Sequence, residues 1–167
     1  MAFPVIPARA FTTLGDSSAK EKLGTLHVVW DKDEGLKAYR YVFIAAASTP
    51  ALANGSLVFQ TDAYGRTGDI RVAQATSRNH VLGVAVSALA AGTYGYVQVS
   101  GYHSAVKTNG DDDIAKGDAI IASASDGVVD SVAAGTAPTY KPVGFATAAD
   151  VDANNTVATD LCIVDIG

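Results

Sequence analysis

Residues 51–59, ALANGSLVF, return 62 positions later as residues 113–121, DIAKGDAII. Leu52 falls on Ile114, Ala53 on Ala115, Gly55 on Gly117 and Val58 on Ile120. A second match follows at an offset of 61, with Leu82-Gly83-Val84-Ala85 on Val143-Gly144-Phe145-Ala146. Gly55 and Gly83 are 28 residues apart, Gly117 and Gly144 are 27 apart, so the spacing is kept as well as the residues. In a third pair, residues 92–101 resemble residues 156–167, with Val97-Gln98-Val99 answering Cys162-Ile163-Val164. A chain of this kind is one β-unit used twice, over about residues 39–86 and 96–147, with a C-terminal closing strand. The structural glycines Gly55, Gly83, Gly117 and Gly144 mark backbone positions that need positive φ or a close approach between strands. Two copies are too few to stack as a solenoid, so the unit closes into a small β-barrel or two packed sheets.

The local patterns agree with an all-β fold with little helix. Leu26, Val28 and Trp30 share one face of a strand and His27 and Val29 the other. The loop DKDEG turns the chain back through Tyr39, Tyr41 and Phe43, a period-two aromatic stripe that reads as a packed sheet face. Val97 and Val99 begin a strand that breaks at Gly101, crosses a polar loop containing Asn109-Gly110, and restarts at Ile114. Asp126-Gly127 reads as a tight hairpin, and residues 133–142 as an exposed loop. Ser17 to Lys22 has room for one helical turn. No stretch beyond about ten residues has helical periodicity. Ala and Val dominate the apolar residues, and 16 glycines against 17% charged residues favour short strands over helices.

Residues 1–23 form an extended N-terminal arm ahead of a single domain at 24–167. Pro4 and Pro7 hold the arm extended. Its apolar side chains Phe3, Val5, Ile6 and Phe11 need a surface to lie on, since an apolar extended segment is unlike a disordered polar tail. The same prolines, with no basic n-region, exclude a signal peptide. Residues 81–99 are uncharged and long enough to span a membrane, but Gly83, Gly92 and Gly95 suit strand–turn–strand better, so no membrane partner is expected.

No chemistry stands out. The net charge of −5 and the lack of a basic cluster argue against nucleic acid. His27, His80 and His103 form no ligand or triad pattern, and no G-x-S-x-G elbow or phosphate loop is present. Asp111-Asp112-Asp113 is the best candidate for a hard cation, yet it lacks alternating ligands and a distal Glu. It reads as a solvated loop able to take adventitious Ca²⁺. No metal, cofactor or catalytic residue is assigned, and the chain reads as not an enzyme. Cys162, the single cysteine, lies in the apolar run Leu161-Cys162-Ile163-Val164 and reads as a small buried hydrophobe.

The ordered segments Val81-Leu82-Gly83-Val84-Ala85, Val97-Gln98-Val99-Ser100-Gly101 and Ile114-Ala115-Lys116-Gly117-Asp118-Ala119-Ile120 resemble the tailed-bacteriophage capsid decoration proteins, also called cement or head-stabilising proteins. Asp126-Gly127, Pro142-Val143-Gly144-Phe145-Ala146 and a hydrophobic terminal strand fit the same order. Tyr39-Arg40-Tyr41-Val42 and Ala51-Leu52-Ala53-Asn54-Gly55 extend the likeness, which covers about residues 39–167 and leaves residues 1–38 outside. The resemblance implies a structural virion protein made in the host cytoplasm. It would bind the outer surface of a phage capsid as a homotrimer, with the major capsid protein as partner, and stabilise the expanded shell, the arm residues Phe3, Val5, Ile6 and Phe11 being the candidate contacts to the capsid or to an adjacent subunit. Alternatives are a low-copy trimeric head fibre or spike base, a small β-barrel enzyme, or a secreted adhesin module.

Overall fold

The computed structural model describes residues 11, 15–45, 51–60, 71–74, 81–110, 113–125, 127–150 and 155–163. The described residues form ten strands: β1 (Leu26–Asp31), β2 (Gly35–Ile44), β3 (Leu57–Gln60), β4 (Arg71–Gln74), β5 (Val81–Ala85), β6 (Tyr94–Lys107), β7 (Ala119–Ala122), β8 (Val129–Val132), β9 (Gly144–Ala146) and β10 (Thr156–Cys162). They form one sheet in the order β1-β2-β4-β3-β5-β6-β10-β9-β7-β8, open at β1 and β8, so the sheet as a whole is not closed. Every strand pairing in it is antiparallel except β2 with β4.

A further antiparallel pairing of β2 with β6 turns the first half back on itself, making a ring of neighbours β2-β4-β3-β5-β6. The second half repeats these relationships. There β6 pairs with β10, β10 with β9, β9 with β7 and β7 with β8, and a parallel bridge from Thr108 to Val129 joins the end of β6 to β8. Strand β6 is therefore the last strand of the first unit and the first strand of the second.

The equivalence extends to single hydrogen bonds. Gly55 N–H donates to Ala85 O at 2.8 Å and Gly117 N–H to Ala146 O at 2.9 Å. Leu52 and Leu89 exchange a reciprocal pair of backbone bonds, as do Ile114 and Asp150. Gly55 and Gly117 both have positive φ, +82° and +94°. Gly83 and Gly144 lie where a Cβ would collide with the neighbouring strand, at Val97 and at Asp160 respectively. Left-handed backbone and strand–strand contact are the two situations that demand glycine.

The register also corrects the third sequence match. Val84 faces Gln98 and Ala85 faces Val97, whereas Phe145 faces Asp160 and Ala146 faces Thr159. Val97-Gln98-Val99 thus corresponds to Thr159-Asp160-Leu161, three residues earlier than the apolar run at 162–164 suggested. Thr159 is fully buried, with its hydroxyl donating to Val157 O, so a polar residue holds a core position that hydrophobicity alone could not reveal.

Three clusters fill the interior. One lies in the first unit and includes Val42, Ile44, Leu52, Val58, Leu82 and Val97. A second occupies the second unit and draws in Leu57 and Val84 from the first, so the two units share apolar packing. The third joins Phe11, Val29 and Tyr39.

Two further expectations are corrected. The chain continues as strand through Gly101 to Lys107 instead of breaking there. Gly101 takes φ +87° in mid-strand, and Gln98 Nε2 donates to the carbonyls of Ser100, Gly101 and Tyr102, satisfying the acceptors that this irregularity frees. Residues 17–22 form bends and not a helical turn. Their polar groups bind the sheet: Lys20 N–H donates to Tyr41 Oη at 3.0 Å, and Glu21 bonds to His27 and Tyr96.

Candidate interaction surface

The β1–β2 hairpin turns through Lys32-Asp33-Glu34, where Asp31 Oδ1 accepts from the N–H groups of Asp33 and Glu34 and Gly35 takes φ +80°. This fixes the register Trp30 opposite Leu36, Val28 opposite Ala38 and Leu26 opposite Arg40. Strand alternation then divides the hairpin into two faces.

One face is packed. Phe11 stacks on Tyr39 at 4.6 Å between ring centroids, meets Tyr96 edge-on at 4.8 Å and lies 5.4 Å from His27. His27 Nε2 is 2.7 Å from Glu21 Oε2, and Tyr96 donates its hydroxyl to Glu21 Oε1. Burial pushes the Tyr39 phenol up to about 12, with Asp31 and Glu34 adding to the shift. Burial together with the Glu21 carboxylate also raises Tyr96 strongly.

The other face is bare. Leu26, Val28, Trp30 and Leu36 are 50%, 58%, 70% and 59% exposed. Leu26, Val28 and Trp30 lie on the edge strand β1, which pairs on its outer side with no strand among the described residues, and Leu36 lies opposite Trp30 on β2. Among the described residues the only other large hydrophobic exposed to this degree is Phe145, at 50%, on β9 of the second unit. Around it lie Ala119 across the β7 pairing and the exposed Asp160 across the β10 pairing.

Of the arm residues singled out from sequence, Phe3, Val5 and Ile6 lie outside the described residues. Phe11 is 1% exposed and is spent inside its own chain. Asp111 and Asp112 lie outside the described residues, and Asp113 is exposed. Among the described residues no group of three or more His, Cys, Asp or Glu side chains is placed to hold a metal ion. Cys162 is exposed, contrary to its apolar surroundings in the sequence, because alternation along β10 turns Leu161 and Ile163 inward and the thiol outward. Partial burial and Asp160 raise its pKa.

A surface pocket of about 150 Å³ is lined by Lys37, Tyr39, Asn54, Gln98, His103 and Ser104, with Val86. Burial, aided by the Lys37 charge, lowers the His103 pKa to about 4. Its Nδ1 accepts from Ala105 N–H at 3.2 Å. The Gln98 amide is committed to three carbonyls, and the Lys37 ammonium to Glu34. Gln98, His103 and Lys37 of this pocket are thus engaged in holding the fold.

Sequence reasoning identified the Leu26–Val28–Trp30 stripe but not its exposure. Phe145 was visible only as a member of the repeat. Among the described residues no helix is long and apolar enough to cross a membrane. No protein-family model matches this chain, and no curated protein matches it.

Proposed function

We propose that this chain is a structural protein that binds the outer surface of a tailed-phage capsid as a homotrimer and stabilises the expanded shell. The observation that carries the reading is the bare Leu26–Val28–Trp30–Leu36 face on an edge hairpin. Contiguous exposed apolar surface marks a place where another macromolecule binds, and an edge strand can extend a neighbour's sheet. The hairpin face marks the chain as one that assembles with other copies, as a trimer requires, and the ordered glycine-marked segments that resemble decoration proteins supply the partner that the trimer binds, the major capsid protein. Several modest contacts joined in one trimer gain affinity through effective concentration. That suits a protein built around one broad sheet.

The test is the copy number of this chain in purified particles relative to the major shell protein, by quantitative mass spectrometry. A number comparable to the shell protein is expected. A handful of copies would instead indicate a head fibre or spike base, and absence from particles would overturn both virion readings.

A further inference from the structure

Two unlike surfaces with exposed large hydrophobics remain open on the described part of the chain, and the internal repeat says what one of them is for. Val84 and Phe145 occupy equivalent positions of the two units, as do Leu57 and Ala119. In the first unit this face is covered: Leu57 and Val84 are fully buried, and both pack into the core cluster of the second unit. In the second unit the same face is left uncovered by the described residues, and the residue at the Val84 position is a half-exposed phenylalanine. The chain thus already uses this face of the unit once, as a contact to another unit.

The second surface is the hairpin face. Leu26, Val28, Trp30 and Leu36 together leave on the order of 400 Å² of apolar area in water, the size of the largest apolar patch on a soluble chain, which is often functional. A standard protein–protein interface takes about 800 Å² from each partner, a little over half of it apolar. The hairpin face therefore has the apolar content of one side of such an interface, and β1 ends the sheet formed by the described residues, where a further strand can add.

We propose that the occupant of the hairpin face is a second copy of this chain, seated with Trp30 against the surface around Phe145. The contact is heterologous, because the two patches differ and lie on different units. Each copy then offers one patch forward and one back, and such contacts end only when a ring closes. The proposal rests on the reading above for the number of copies, three, and on these two surfaces for where they meet.

The chain carries its own probes, one tryptophan and one cysteine. Trp30 sits on the first patch, and the exposed Cys162 lies on β10 beside the second. A donor chain carries Cys162→Ser, and an acceptor chain carries Trp30→Phe with a dansyl group on Cys162. On mixing, energy transfer from Trp30 is expected to appear, to grow with concentration, and to fall at least fivefold when the acceptor chain also carries Phe145→Glu. Both Phe145 and Cys162 are exposed, so these changes leave the core intact, which an unchanged β-type circular dichroism spectrum would verify.

In the unlabelled chain, quenching of Trp30 by acrylamide is expected to weaken as oligomers form. Sedimentation showing single copies at every concentration would overturn the proposal, as would oligomers without transfer. Trp30 becoming protected only when phage shells are added would equally overturn it, since the shell would then be the occupant. Particle copy number is measured separately, so chains that load fully onto shells yet show no transfer would sink this contact and leave the shell-binding reading standing.

Discussion

His103 shows how a single residue in this sheet makes stability depend on pH. Its ring is 6% exposed, and burial lowers its pKa to about 4 from the 6.5 of the free side chain. Between those values the unfolded chain binds a proton that the folded chain refuses. The contribution is therefore complete above about pH 6.5 and is lost progressively as pH falls to about 4. Denaturant midpoints measured from pH 7 down to 4.5 should fall, and the same series on a His103→Gln variant should fall less steeply. Parallel slopes in the two proteins would show that His103 does not carry the effect. Cys162 and Thr159 show why residue identity alone misleads. The thiol lies in an apolar run yet faces water, and the hydroxyl is buried because Val157 O lies within reach of its donor. Strand alternation decides both, and alternation is readable only once register is known.

Among the elements, β6 depends on one backbone irregularity. Gly101 combines φ +87° with a position where any Cβ would run into the Leu36 carbonyl, whereas Gly35 has φ +80° with open space around it. Gly35→Asn should cost under about 1 kcal/mol, because Asn tolerates the left-handed region. Gly101→Ala should cost at least about 1–3 kcal/mol from backbone strain, and more from the collision. Equal losses in chemical denaturation would refute the distinction. The repeat glycines were legible in the sequence because their demands, positive φ at Gly55 and Gly117 and strand contact at Gly83 and Gly144, strongly favour glycine. The continuation of β6 through Gly101 was not legible. It depends on the Gln98 amide reaching three carbonyls, a tertiary arrangement that leaves no pattern in the sequence. The hairpin surface was half legible. Its stripe follows from period two, but which face is bare was decided by Phe11, which arrives from well upstream and covers the other.

For the molecule as a whole, the shared strand removes any boundary at which the two units could separate. Leu57 and Val84 of the first unit sit in the core cluster of the second, and β6 supplies backbone hydrogen bonds to both. Unfolding should therefore be a single transition, with the calorimetric enthalpy equal to the van't Hoff enthalpy. Two resolved transitions would show that the units fold independently. A protein made of two domains on a linker would have left a composition shift between them, and none marks residues 86–96.

A strand common to both units has a mechanical meaning as well. If the two halves of the chain are held to different neighbours, a pull between them runs along the backbone of β6. Its bonds to β2 and β10 lie across that direction, so tension loads them together in shear instead of peeling them one by one. Slippage would require many bonds to fail at once, and the molecule would behave as a tie under stretch.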